Sequence, residues 1–64
     1  PNRWRLAMDD SPDVRYQIAE NPYTDMEILL WLCTDENPYV ADRAARTLRA
    51  VRGDSAPLTA NGNL

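Results

Sequence analysis

The chain contains no histidine, lysine or phenylalanine, and it has one cysteine and two glycines among its 64 residues. The usual general bases and activated nucleophiles are therefore nearly absent, and we expect no enzyme. A single cysteine excludes an intrachain disulfide and a metal site built from several cysteines. Apolar runs are far shorter than the roughly 20 residues of a membrane span, and no apolar signal core follows a basic stretch. These absences predict a cytoplasmic protein with no cofactor, no metal and no membrane partner.

The chain is mildly acidic, with a formal net charge of −3. Its seven basic residues are all arginines. General nucleic-acid binders and proteins of anionic membrane surfaces favour a basic surface, so this balance disfavours both. The acidic groups at Asp9-Asp10 and Asp35-Glu36 lack the spaced oxygen ligands of a calcium loop. We interpret them as solvated charges at helix ends.

What the chain does contain is a repeat. The segment 6–14 recurs 26 residues later as 32–40, so that Asp9 aligns with Asp35 and Val14 with Val40. Self-similarity at a fixed period is typical of solenoids, in which one small unit stacks on copies of itself. Helical solenoids mostly present surfaces to other macromolecules.

Helix-start and helix-stop residues predict an all-α domain of about four short helices, which form two degenerate helical hairpins over residues 1–53. Ser11-Pro12 and Asn37-Pro38 each combine a good N-cap with a proline at the first helical position. Thr24 and Glu27 fit a capping box. The predicted helices are residues 2–8, 12–20, 24–34 and 38–51, with Gly53 as the stop of the last. Residues 54–64 have no periodicity and predict a disordered tail.

The third predicted helix is apolar on all sides. At helical spacing we place one group of its apolar residues on one face and a second group on the other. The first group is Met26, Leu29, Leu30 and Cys33, and the second is Ile28, Trp31 and Leu32. Such a helix needs cover on more than one side, and a chain of about two repeats has open ends that self-association or a partner would cover.

Residues 21–35 resemble the leucine-rich repeat variant, a relative of the HEAT-like helical repeats. That pattern has an Asn-Pro-x-Thr start, Leu-x-x-Leu-Ala within a helix, an Asp, and a Val-Arg step into a second helix. The matching residues are Asn21-Pro22, Leu29, Leu32, Cys33 (in the alanine place), Asp35, Val14-Arg15 and Ala19. The resemblance covers about residues 6–48. It implies a right-handed α-solenoid fragment with an interaction role.

Two departures from the family pattern limit what the resemblance implies. Val40 is followed by Ala41 where the pattern has arginine, and Arg43 comes two positions later. An iron–sulfur module that accompanies such repeats needs several cysteines, so Cys33 alone implies no cofactor. We interpret Cys33 as a small buried apolar residue.

Two surfaces are candidates for binding. Trp and Tyr dominate binding energy at many interfaces, although they are also ordinary core residues of small helical domains. The predicted protein interface consists of Trp31, Trp4, Ile28 and Tyr39. The alternative is an arginine ridge on the last helix, formed by Arg43, Arg46, Arg49 and Arg52. This ridge predicts an anion or nucleic-acid partner, or else an ordinary solvated face.

The sequence therefore predicts a small protein–protein interaction module, which binds a protein partner or a second copy and carries out no catalysis. Anion or nucleic-acid binding through the arginine ridge is the alternative function. A purely structural repeat module without a separable ligand is the third interpretation.

Overall fold

The computed structural model describes residues 3–53, and this part of the chain is all-α. Its helices are α1 (Arg3–Ala7), α2 (Pro12–Glu20), α3 (Met26–Leu32) and α4 (Pro38–Arg52). The predicted all-α fold with four short helices is confirmed. The predicted tail, residues 54–64, lies outside the described residues.

Proline fixes where α2 and α4 begin. Ser11 and Asn37, the residues before Pro12 and Pro38, hold extended backbone with ψ of 121° and 118°. A residue before proline is pushed to this geometry, and an N-cap residue adopts it too. Both helices therefore start where the sequence predicts.

The two N-caps differ in what their side chains do. The Asn37 side-chain oxygen accepts hydrogen bonds from the backbone N–H groups of Tyr39 and Val40, at 2.9 and 3.3 Å. The Ser11 side chain makes no capping hydrogen bond. At the other end of α4, Gly53 has φ of +80° in the left-handed region, which confirms the predicted stop.

The predicted capping box at the start of α3 is wrong. The N-cap of α3 is Asp25, whose side chain makes no capping hydrogen bond. Thr24 is buried, and its hydroxyl donates a 2.9 Å hydrogen bond to the carbonyl oxygen of Ile18. That carbonyl has no helical partner four residues on, because residue 22 is a proline without an N–H. The Thr24 side chain therefore stabilises the C-terminal end of α2 and does not cap α3.

Helices that follow one another in the chain pack together, and we call α1 with α2 the first hairpin and α3 with α4 the second. Within the hairpins α1 packs on α2 and α3 packs on α4, and between them α2 contacts α4 and α1 contacts α3. α2 also contacts α3. The small core consists of Ala7, Ile18, Ala19, Ile28, Leu29, Leu32, Val40, Ala44 and Leu48.

The predicted division of α3 into two apolar faces is also wrong. α3 buries one face, formed by Ile28, Leu29 and Leu32, and exposes Leu30 and Trp31. The buried face is the one that meets the other helices. Because α3 has only two turns and is apolar all round, its periodicity does not select a buried side, and tertiary packing makes that choice.

Candidate functional site

A cleft of about 370 Å³ opens where the two hairpins meet, between the turn that follows α1 and the turn that follows α3. The residues that line it are Ala7, Met8, Arg15, Trp31, Thr34, Asp35 and Glu36. Met8 and Trp31 form its apolar wall, and they are 56% and 49% exposed. We call this site the Trp31 cleft. It joins large accessible apolar groups to a small set of charged ones, which is the usual composition of a binding site.

The Trp31 ring is held in place by local contacts. Its centroid lies 6.3 Å from that of Trp4, at an interplanar angle of 62°, which is an edge-to-face arrangement. Trp4 in turn packs against the hydrophobic core. The hydroxyl of Thr34 donates a 2.7 Å hydrogen bond to the backbone carbonyl of Trp31. Trp4 therefore links the half-exposed Trp31 ring to the core.

Arg15 joins the two hairpins at the floor of the cleft. Its Nε and Nη2 donate to the Asp35 carboxylate at 2.7 and 3.1 Å, a bidentate ion pair. Its Nη1 donates to the backbone carbonyl oxygens of Asp9 and Asp10, at 2.7 and 3.1 Å. One side chain of α2 thus ties the turn of the first hairpin to the turn of the second.

The ion pair has opposite effects on the pKa values of its two partners. Partial burial on its own raises the pKa of the Asp35 carboxyl. The hydrogen bonds from Arg15 and from the Asn37 backbone, together with the positive charge of Arg15, lower that pKa below its ordinary value. The hydrogen bond to Asp35 raises the pKa of Arg15. Both groups are therefore charged at neutral pH, and each is the ionic partner of the other.

The four residues of the predicted protein interface do not lie together. Ile28 is 1% exposed and belongs to the core, so its assignment to the interface is wrong. Trp4 is half-buried and supports Trp31. Tyr39 is exposed but lines a separate depression of about 210 Å³, which shares no residue with the Trp31 cleft. Trp31 is the one member of this group at the cleft.

The arginine ridge of α4 is partly occupied by contacts within the helix. Arg46 forms a 3.1 Å ion pair with Asp42, in which both side chains are largely exposed. Arg43 is partly buried, and its Nε donates to the Thr47 hydroxyl at 3.4 Å. The Asp42 carboxylate partly offsets the charge of Arg46, whereas the bond to the neutral Thr47 hydroxyl leaves the charge of Arg43 unchanged. Anion binding there stays a prediction.

Residues 3–53 give little support for a metal site, a membrane-spanning helix or a reactive thiol. No group of three metal-binding side chains occurs in this range, and no helix within it is long and apolar enough to cross a membrane. Partial burial raises the pKa of the Cys33 thiol, which disfavours the reactive thiolate. Cys33 therefore behaves as a small packing residue.

Sequence reasoning missed two features of the site. The Arg15–Asp35 ion pair joins residues that are 20 positions apart, and the exposed side chain of Met8 faces the same cleft. The repeat shows only that Arg15 has alanine as its equivalent, Ala41, and this difference does not identify Asp35 as the partner. No sequence signal marks Met8.

No protein-family model, no curated protein and no solved structure matches the chain. The resemblance to the leucine-rich repeat variant stays a prediction, and function rests on the residues themselves.

Proposed function

We propose that the chain is a protein–protein interaction module that binds its partner through the Trp31 cleft. The observation that carries this proposal is the half-exposed Trp31 ring, oriented by Trp4 on the wall of a cleft between the hairpins. A tryptophan that already packs against a neighbouring ring has less conformational freedom to lose on binding than a fully exposed one. Residues of this kind supply much of the binding energy at interfaces.

The mechanism is burial of apolar anchors inside a charged rim. The partner covers Trp31 and Met8, while Glu36 at the rim of the cleft orients it by charge. Arg15 and Asp35 contribute mainly by fixing the shape of the cleft, because each already satisfies the charge of the other. The partner we expect therefore offers an apolar side chain with a basic group beside it.

The same proposal includes the architecture of the module. The two hairpins are stacked units of a right-handed helical-repeat array, of the kind formed by the leucine-rich repeat variant family. The 26-residue sequence period and the contacts of α1 with α3 and of α2 with α4 support this arrangement. In such arrays each unit contacts its neighbours and leaves an extended surface for partners.

The test compares Trp31→Ala with a matched control, Tyr23→Ala. Tyr23 is an aromatic residue that is 83% exposed and lies outside the cleft. Light scattering over a concentration series first measures whether the wild-type chain associates with itself. If it is a monomer, a photo-crosslinking amino acid in place of Thr34, which lines the cleft with Trp31, or in place of Tyr23 identifies a partner in cells, with unlabelled wild-type chain as competitor.

We expect Trp31→Ala to weaken the association at least about tenfold, with helicity retained in circular dichroism, and Tyr23→Ala to leave it unchanged. Loss of the fold in Trp31→Ala would assign the residue to the core. Products that form equally from positions 34 and 23, or that the Trp31→Ala chain still competes away, would refute the cleft as the binding site.

A further inference from the structure

The Trp31 cleft carries an excess of negative charge. Arg15, Asp35 and Glu36 are the charged side chains among the described residues that line it. Arg15 and Asp35 form an ion pair with each other, so the carboxylate of Glu36 is not compensated. Glu36 is exposed, and its side chain forms no ion pair or hydrogen bond with any residue of the described range 3–53. The cleft therefore offers a free carboxylate beside its apolar wall.

The floor of the cleft already holds one guanidinium. Arg15 donates to the Asp35 carboxylate and to two backbone carbonyl oxygens of the turn that follows α1. The hydrogen bond to Asp35 is the main reason why the pKa of Arg15 is raised. The negative charges of Asp35, Glu36 and Asp10 raise this pKa further. A cation that approaches from outside meets the same carboxylates, while Asp35 offsets the charge of Arg15.

The other arginines of the first hairpin do not compete for Glu36. Arg3 and Arg5 both lie on α1, and neither lines the cleft. Arg3 instead donates a 3.4 Å hydrogen bond to the backbone carbonyl oxygen of Tyr23. The described residues around the cleft therefore leave the position beside Glu36 open to a positive group from another molecule.

Trp31 supplies a ring on which a flat cation can stack. Its side chain is 49% exposed, although Trp4 packs against it edge to face. Tryptophan is the best aromatic partner for a cation, and arginine is the cation most often found on such rings. A guanidinium is planar, is more weakly hydrated than an ammonium and presents a fork of N–H groups to a carboxylate. Arginine can therefore use the Trp31 ring and the Glu36 carboxylate together, which lysine does less well.

We propose that the Trp31 cleft binds an arginine side chain of a partner protein, which stacks on the Trp31 ring and pairs with the Glu36 carboxylate. The apolar stem of this arginine, or an apolar side chain next to it in the partner, covers Met8. The inference rests on the proposed function, and it adds the chemical identity of the group that the cleft recognises.

The first experiment asks what the cleft selects when no partner is known. Short random peptides displayed on phage are selected on the immobilised chain, and peptides that also bind the Trp31→Ala chain are discarded. Trp31→Leu replaces that variant if circular dichroism shows Trp31→Ala to be unfolded. We expect arginine to be enriched in the remaining peptides, and more strongly than lysine. The comparison with lysine is the control, because the net negative charge of the chain attracts both basic residues alike.

The second experiment measures one selected peptide, made synthetically, by isothermal titration calorimetry. Glu36→Lys should weaken its binding at least about tenfold. The matched control is Glu20→Lys, the same charge change at an exposed residue outside the cleft, and it should weaken binding less than about twofold. Replacement of the peptide's arginine by glutamate should abolish binding to the wild-type chain and restore part of it to the Glu36→Lys chain. Glu36→Gln removes the charge at constant size and replaces Glu36→Lys if that variant loses helicity.

The outcomes separate this inference from the proposed function. Peptides that depend on Trp31 but carry no excess of arginine over lysine would overturn the inference and leave the cleft as an interaction site. A selection that yields no Trp31-dependent peptide would refute the proposed function, and the inference with it. Equal effects of Glu36→Lys and Glu20→Lys would overturn the pairing with Glu36. Self-association of the wild-type chain that Glu36→Lys abolishes and Glu20→Lys leaves intact would overturn the choice of occupant, because a second copy would then supply the cation.

Discussion

Leu32 and Leu6 provide the most direct test of how this small domain is held together. They are equivalent in the sequence repeat, yet Leu32 is fully buried and Leu6 is 42% exposed. The same substitution to alanine should therefore have very different effects on the free energy of unfolding.

The expected magnitude follows from burial and from the size of the core. Leu→Ala at a buried site costs about 2–5 kcal/mol, through lost transfer energy and the cavity left behind. Leu32 lies in a thin core whose neighbours can partly relax into the space, so we expect about 2–3 kcal/mol. At Leu6 much of the side chain is already in water, and we expect about 1 kcal/mol or less.

The loss at Leu32 is large compared with total stability. A single core of this size supplies about 3–5 kcal/mol. Leu32→Ala should lower the melting temperature by about 10–20 °C and leave a measurable unfolded fraction at room temperature. Urea unfolding followed by circular dichroism gives the free energies, with the slope m as a check that the unfolded states are comparable. Losses at the two positions that agree within about 0.5 kcal/mol would refute the difference in burial between Leu32 and Leu6.

Three further predictions follow from particular contacts. Asn37→Ala removes two capping hydrogen bonds and should cost about 1 kcal/mol in urea unfolding, whereas Ser11→Ala should cost much less; equal losses would contradict the observed caps. Because the folded-state pKa of Asp35 is lowered, its ion pair with Arg15 stabilises the fold above the ordinary carboxyl pKa of about 3.9 and is lost as the pH falls through and below that value. Melting temperatures from pH 7 to pH 2 should therefore fall more steeply for wild type than for Asp35→Asn, and parallel curves would refute this assignment. The arginine ridge should show no affinity for a generic DNA duplex at low salt, given the net charge of −3 and the Arg46 ion pair; affinity that falls steeply with added salt would instead support the alternative function.

The candidate site was only partly predictable. Trp31 stands out from the sequence as a large aromatic residue on a helix that is apolar all round, and the structure leaves it half exposed in a cleft. Ile28 has the same apolar character but is buried. Residue type alone does not separate these two, because the difference is which side of α3 faces the rest of the fold.

Local sequence determined the helices themselves. Pro12 and Pro38 restrict the backbone of the residues before them, and Gly53 allows the left-handed turn that ends α4. These effects act within one or two residues, so they are the same in any tertiary context. The 26-residue repeat likewise aligns the residues of the two turns, since Asp9 matches Asp35.

Tertiary structure determined which side chains contact each other when they lie in different helices or turns. It turned Thr24 from a predicted helix cap into a buried partner of the Ile18 carbonyl, and it brought Arg15 to Asp35 across 20 positions. A hydroxyl or a guanidinium can bond to many acceptors, and its choice depends on which one packing places within reach. For this protein, local steric effects set the helix boundaries, and tertiary packing determines which side chains stay exposed.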